Sequence, residues 1–180
     1  MAITRFAAID VGSYHVSMDI YEISPKAGIR QIDEVRSRLE IGRDTYGTGK
    51  IGYDSTQELC AVLRDFAGIM KEYQVDAYRA CATSTLQEAR NVWIVLDQVY
   101  QKTGINVEIL SNSEQRFYGY KSLAAKEAAF TKIIQKGTAI IEIGGGNVQI
   151  SLFDKDALVT TQNFTMGSLR IRERLIPVEK

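Results

Sequence analysis

Phe6-Ala7-Ala8-Ile9-Asp10-Val11-Gly12-Ser13 decides the fold of this chain, because a short apolar run meets a carboxylate and then a glycine. Its shortness and the glycine predict a buried strand rather than a helix. Beyond it, Val16, Met18, Ile20 and Ile23 alternate loosely with polar residues, as a second strand does. Ser24-Pro25-Lys26-Ala27-Gly28 signals a hairpin, and Gln31 to Ile41 reads as a third strand. The chain therefore opens on antiparallel strands whose first turn carries an aspartate and a glycine.

Helical spacing follows. Ser55-Thr56-Gln57-Glu58 matches a capping box ahead of Leu59, Val62, Leu63, Phe66, Ile69 and Met70, which share one apolar face. Val75 to Ala82 reads as a strand, and Thr85 with Glu88 predicts the start of a helix through Val92, Leu96 and Val99 that ends at Gly104. Val107 to Leu110 is a further strand, and Ser111 with Glu114 caps a third helix through about Ala125. Helices between strands imply parallel pairing after the opening hairpins.

Near Gly137 the pattern restarts. Thr138 to Ile141 is an apolar strand that reaches Glu142-Ile143-Gly144-Gly145-Gly146, Val148 to Phe153 a second strand, and Leu158 to Asn163 a third, with a helix from about Ser168. The order of strand, carboxylate, glycine turn, strand, hairpin, strand repeats the opening. Two domains are expected, 1–125 and 126–180, the second cut short, with the two turns sharing one ligand.

The 180 residues are 45% hydrophobic and 24% charged, enough to bury a core. Lys and Arg balance Asp and Glu at 22 each, which argues against bulk capture of nucleic acid or membrane. No apolar signal core or membrane-length stretch occurs, and Cys60 and Cys81 read as core thiols of a reducing compartment, so a cytoplasmic location is expected. His15 stands alone as the single histidine.

Glycines after a strand let backbone amides approach phosphate oxygens, and a nearby carboxylate can hold hydrated magnesium. An ordinary turn explains Asp10-Val11-Gly12-Ser13 equally well, and a plain hairpin loop is the alternative for the three glycines. The pair, each after the first strand of a similar half, is the more specific signal.

These stretches, together with Ala82 to Asn91, Ile109 to Gln115 and Thr165-Met166-Gly167-Ser168-Leu169-Arg170, resemble the exopolyphosphatase and guanosine pentaphosphate phosphohydrolase family of the actin and sugar-kinase superfamily. The resemblance implies an α/β, ribonuclease-H-like actin-type fold: a mixed five-stranded sheet with helices on both faces and the start of a second similar domain. It also implies attack of water, assisted by Mg2+, on a terminal phosphoryl group of polyphosphate or guanosine pentaphosphate. Carried over residue by residue, it gives Gly12, Ser13 and Tyr14, and Gly144, Gly145, Gly146 and Asn147, as phosphate-binding. Asp10 and Glu142 become metal ligands, and Gln115, Glu142 and Gln149 occupy the catalytic positions.

Several positions depart from the family pattern. Tyr14 and His15 replace Asn and Ser, Gln87 replaces an arginine, and Glu142 replaces an aspartate. Asn147, Val148 and Gln149 replace Ser, Thr and Glu, and Gln115 stands at the catalytic glutamate. Glutamine orients water but takes no proton at neutral pH. Glu114, next to it, belongs to a capping box. Three readings stay open: a hydrolase, a cleft that binds polyphosphate or nucleotide without turnover, and a nucleotide-driven actin-like scaffold. Open strand edges are expected to pair between chains as a homodimer.

Overall fold

The computed structural model describes residues 3–126 and 130–175. Pro177 and the end of the second domain as read to Lys180 lie outside the described residues. β1 (Thr4–Val11), β2 (His15–Ser24) and β3 (Gly28–Arg38) form the antiparallel opening that the alternation predicts. Ser24 Oγ accepts the amide of Ala27 at 3.0 Å, and Gly28 takes φ 71°, a conformation only glycine adopts cheaply. The third strand stops at Arg38 rather than Ile41, because Leu39 turns its amide onto the Tyr14 carbonyl at 3.1 Å. The chain then enters a helix without a sequence signal, α1 (Ile41–Thr48).

In α2 (Tyr53–Glu72), Leu59, Leu63, Phe66 and Met70 are buried as the spacing predicts. The expected capping box does not form. Gly52 is the N-cap and its carbonyl accepts Thr56 N at 3.0 Å, so Ser55 and Glu58 lie inside the helix. β4 (Ala77–Ala82) and β5 (Val107–Ile109) add in parallel, completing a mixed sheet of order β3-β2-β1-β4-β5. The helix expected from Thr85 is two helices, α3 (Ser84–Glu88) and α4 (Val92–Thr103). Ala89 turns extended between them, and Arg90 and Asn91 clamp the loop after α1. Arg90 Nη2 donates to Thr48 O at 2.7 Å, while Asn91 pairs with both backbone groups of Ile51 at 3.0 and 2.8 Å. The core is built from Val11, Met18, Ile20, Leu63, Phe66, Leu86 and Val99, with Cys60 among them. Each large apolar side chain removed from water contributes about 1.5–3 kcal/mol.

The chain divides into two compact units, Met1–Ile109 and Leu110–Lys180, so the third predicted helix belongs with the second sheet. That unit contains α5 (Asn112–Lys126), α6 (Phe130–Ile134), β6 (Thr138–Ile143), β7 (Val148–Asp154), β8 (Ala157–Phe164) and α7 (Ser168–Leu175). Its sheet is antiparallel in the order β6-β7-β8. Tyr120 of α5 explains the grouping: its hydroxyl donates to Ser151 Oγ at 2.5 Å and its ring meets Phe153 edge-on at 5.2 Å. Gln149, Ser151 and Phe153 of β7 are buried, whereas Ile141, Ile143 and Leu152 are exposed on alternate positions. Among the described residues no helix is long and apolar enough to cross a membrane.

Candidate functional site

Both glycine turns close with the same hydrogen bond. Gly12 N donates to His15 O at 3.1 Å, and Gly144 N donates to Asn147 O at 2.9 Å. The strand registers behind them correspond as well, with Val11 opposite Val16 and Asp10 opposite Ser17, and Ile143 opposite Val148 and Glu142 opposite Gln149. A Cβ on Gly12 would lie 2.9 Å from His15 O, closer than carbon and oxygen normally approach, so the turn needs glycine there.

In the first turn the outer carbonyls are occupied: Ser13 O accepts Gly42 N at 3.0 Å and Tyr14 O accepts Leu39 N at 3.1 Å. Among the described residues nothing accepts the amides of Ser13 and Tyr14. Carbonyls tied down beside unused amides are what an anion-binding turn requires. The Ser13 hydroxyl is buried among others, 2.8 Å from Tyr46 OH and 2.7 Å from Thr85 Oγ1, and Tyr46 OH also reaches Thr85 Oγ1 at 3.0 Å and Ser84 Oγ at 3.1 Å. Thr85, expected as a helix cap, is a member of this cluster instead. Tyr14 keeps an exposed ring under the Arg38 guanidinium at 4.9 Å, with the His15 ring edge-on to it at 6.5 Å. The Asp10 carboxyl still touches solvent, yet lost hydration raises its pKa above the usual carboxylate range; His15 opposes the shift and Asp19 adds to it.

The second turn is held from a different side. Its carbonyls point at the start of α7: Gly144 O accepts Ser168 N at 3.0 Å, Gly145 O accepts Leu169 N at 3.0 Å and Arg170 N at 3.1 Å, and Gly146 O accepts Gly167 N at 3.2 Å. The buried Arg170 adds its Nε to Gly146 O at 2.9 Å. A side chain on Gly167 would collide with the Gly145 carbonyl and the Asn147 nitrogen. The amides of Gly145, Gly146 and Asn147 find no acceptor among the described residues.

Behind this turn Glu142, Gln149 and Asn163 face one another across the three strands. Gln149 is 1% exposed, and both its amide atoms, with Glu142 Oε2, Asn163 Oδ1 and Asn147 Nδ2, are buried without a hydrogen-bond partner among the described residues. Such atoms cost about 1–3 kcal/mol each unless water or a ligand serves them. Glu142 also packs on α5, where a Cβ on Gly119 would come within 2.6 Å of its Oε1. Burial pushes the Glu142 carboxyl above its ordinary pKa, and Arg116 pulls the other way.

Gln115 precedes Gly119 by four residues and so shares its face of α5, the face that meets Glu142. Glu114 is spent on the cap: its Oε2 accepts both Ser111 N and Ser111 Oγ at 2.8 Å, and its own amide donates to Ser111 Oγ at 3.2 Å. Of the aromatic residues on α5, Tyr120 packs on the sheet while Phe117 and Tyr118 stay exposed. Sequence reasoning did not single out Tyr46, Asn163, Gly167 or Arg170 for a role. The last two lie in the quoted Thr165–Arg170 stretch, but nothing in their spacing announces that they brace a turn.

The family model for the Ppx/GppA phosphatase family matches residues 20–179. Exopolyphosphatase 1 of Mycobacterium tuberculosis is 21% identical over 182 residues, covering 96% of this chain and 49% of that protein. Guanosine-5'-triphosphate,3'-diphosphate pyrophosphatase of Pseudoalteromonas atlantica is 21% identical over 169 residues, covering 94% of this chain and 32% of that protein. The crystal structure of an exopolyphosphatase from Cytophaga hutchinsonii superposes with TM-score 0.79 at 20% identity, over 95% of this chain and 53% of that one. The chain thus spans half or less of these two curated relatives.

Proposed function

Because the chain belongs to the Ppx/GppA phosphatase family, we propose that it is an exopolyphosphatase-type phosphohydrolase domain acting on the terminal phosphoryl group of inorganic polyphosphate or guanosine pentaphosphate. The observation that carries this reading is the pair of turns with occupied carbonyls and unused amides, at Gly12–His15 and Gly144–Asn147. Ser13 and Tyr14 offer amides to phosphate oxygens at the first turn, and Gly145, Gly146 and Asn147 offer them at the second, each turn within its own unit. Fixed amides stabilise charge without reorganising as the bond breaks.

The residues present fit magnesium. Among the described residues no cluster of three or more His, Cys, Asp or Glu could hold a metal alone. Magnesium commonly takes one or two carboxylates, with waters and substrate phosphate filling its remaining positions. Asp10 behind the first turn and Glu142 behind the second are each a carboxylate of that kind, and in the second unit Glu142 Oε2 and Gln149 Oε1, buried without a partner among the described residues, are donors of the hard type it prefers. When bound, the ion offsets charge on the phosphate oxygens. Gln115 orients the attacking water from the α5 face that meets Glu142, but accepts no proton from it.

One observation favours a second reading, a domain that binds polyphosphate or nucleotide with little turnover. The carboxylate of Glu114 is closed into its own helix cap, and positions 115 and 149 are amides. Loss of a general base lowers a rate by about 10²–10⁴. Magnesium-dependent release of inorganic phosphate from long polyphosphate separates the readings when the natural protein is compared with Gln115→Glu. A rate that rises at least a hundredfold in the variant, over a measurable natural rate, supports a slow hydrolase. Activity in the variant alone supports the binding reading, and no binding or release by either protein removes both.

A further inference from the structure

The hydroxyls of Ser13, Tyr46 and Thr85 form a closed triangle with sides of 2.8, 3.0 and 2.7 Å, and Ser84 joins it through Tyr46 at 3.1 Å. Three elements meet there: the first glycine turn, α1 and the start of α3. Ser13, Ser84 and Thr85 are all buried, so their protons must be placed inside the protein or on a ligand. Each hydroxyl has one proton to give and two lone pairs to fill. Without a ligand the three protons can circulate round the triangle, Thr85 to Ser13 to Tyr46 to Thr85.

An anion at the first turn changes the best arrangement. If Tyr46 turns its proton from Thr85 to Ser13, Ser13 accepts from both Tyr46 and Thr85 and has no neighbour left to donate to. Its own proton then points to the anion. Ser84, 3.1 Å from the phenol oxygen, can donate to Tyr46 in turn, which strengthens the phenol proton that Tyr46 gives to Ser13. Donors that polarise one another in a chain are stronger than isolated ones.

Resting on the reading of the first turn as a phosphate cradle, we infer that Tyr46 is a positioning residue that turns the Ser13 hydroxyl proton onto bound phosphate, with Thr85 as its co-donor. Tyr46 makes no contact with phosphate itself. It lies on α1, whose Gly42 amide also holds Ser13 O at 3.0 Å, so one short helix fixes both the backbone and the side chain of Ser13.

The test is a double-mutant cycle on the full chain, read as the dissociation constant for sodium tripolyphosphate with magnesium by calorimetry. Tyr46→Phe is expected to weaken binding about tenfold, the scale of one hydrogen bond to a charged group. Ser13→Ala should weaken it by a similar factor, and adding Tyr46→Phe to Ser13→Ala should change it less than twofold. Thr85→Val should resemble Tyr46→Phe, and Thr85→Ser should restore binding; this pair carries the test if Tyr46→Phe does not fold. A Tyr46→Phe protein that binds as the natural one does, or whose loss persists in full on Ser13→Ala, overturns the inference and leaves the proposed function standing. A natural protein that binds no tripolyphosphate overturns both.

Discussion

The two glycine turns share a closing hydrogen bond and a strand register, yet they are braced by unlike neighbours. The first is held by segments just beyond β3, through Leu39, Gly42 and the hydroxyls around Tyr46. The second is held by the start of one helix, where Gly167, Ser168, Leu169 and Arg170 occupy all three glycine carbonyls. Behind the first turn stands an aspartate opposite a serine; behind the second, a glutamate opposite a glutamine whose amide has no partner among the described residues. The same turn can therefore be kept by a distributed brace or by a single point. The single point should be the more fragile.

Gly167→Ala is the sharpest break of that comparison. The added methyl has only backbone to push against, and it should cost about 3 kcal/mol or more, at the upper end for overpacking. Amide exchange should show the loss in β6, β7 and α7 while β1 and β2 stay protected. Uniform loss of protection would mean that the two braces are not independent.

Gln149→Leu sharpens the comparison from the other side. It removes two buried, unpartnered polar atoms and should raise stability by about 1–3 kcal/mol in chemical denaturation if no water serves them. Magnesium-dependent tripolyphosphate affinity should fall in the same variant. A destabilised Gln149→Leu would show that water satisfies the row in the folded protein.

Gly12→Ala should be milder, about 1–2 kcal/mol by thermal melting, because its added methyl crowds only the His15 carbonyl at 2.9 Å. A loss as large as that of Gly167→Ala would contradict the ranking of the two turns. Smaller again is Glu114→Ala, which removes the carboxylate's bonds to Ser111 N and Ser111 Oγ but keeps the Ser111 Oγ cap on the backbone amide; it should cost about 1 kcal/mol and leave phosphate release unchanged. A hydrolysis rate that collapses in this variant would make Glu114 the base after all.

The pH dependence separates the turns last. Glu142 has a folded pKa above its unfolded value near 4.5, so the folded state holds its proton longer as pH rises. Its contribution to stability is full below that value and is lost as pH climbs through the folded pKa. Melting temperature should therefore fall less steeply with rising pH in Glu142→Gln than in the natural chain across that window. An identical pH profile would contradict a raised Glu142 pKa in the folded chain. Asp10 shifts in the same direction, with lost hydration its largest cause.

Much of this was legible in the residues. The alternation after Ser13, the hairpin at Pro25 and the restart at Gly137 gave the strands and both turns. Ser111 and Glu114 formed the capping box their spacing announces. The box at Ser55 did not form, because Gly52 starts α2 earlier; a matching spacing says nothing of competing caps. The helix from Thr85 breaks at Ala89, which turns extended while Asn91 is drawn onto a loop forty residues away, a contact without local period. Alternation along β6 and β7 could not tell which face is buried: Gln149 and Ser151 point inward with Phe153, while Ile141 and Leu152 are exposed. The role of Gly167 needed coordinates, since a glycine in sequence does not say what lies against it.

The central claim is that the unused amides of both turns receive phosphate. The most direct measurement follows the backbone amide resonances of the chain while tripolyphosphate is added with magnesium. The account predicts that Ser13, Tyr14, Gly145, Gly146 and Asn147 move first and furthest, with Leu39 and Leu169 little changed because their amides already have acceptors. Shifts centred elsewhere, or none at saturating ligand, would contradict it.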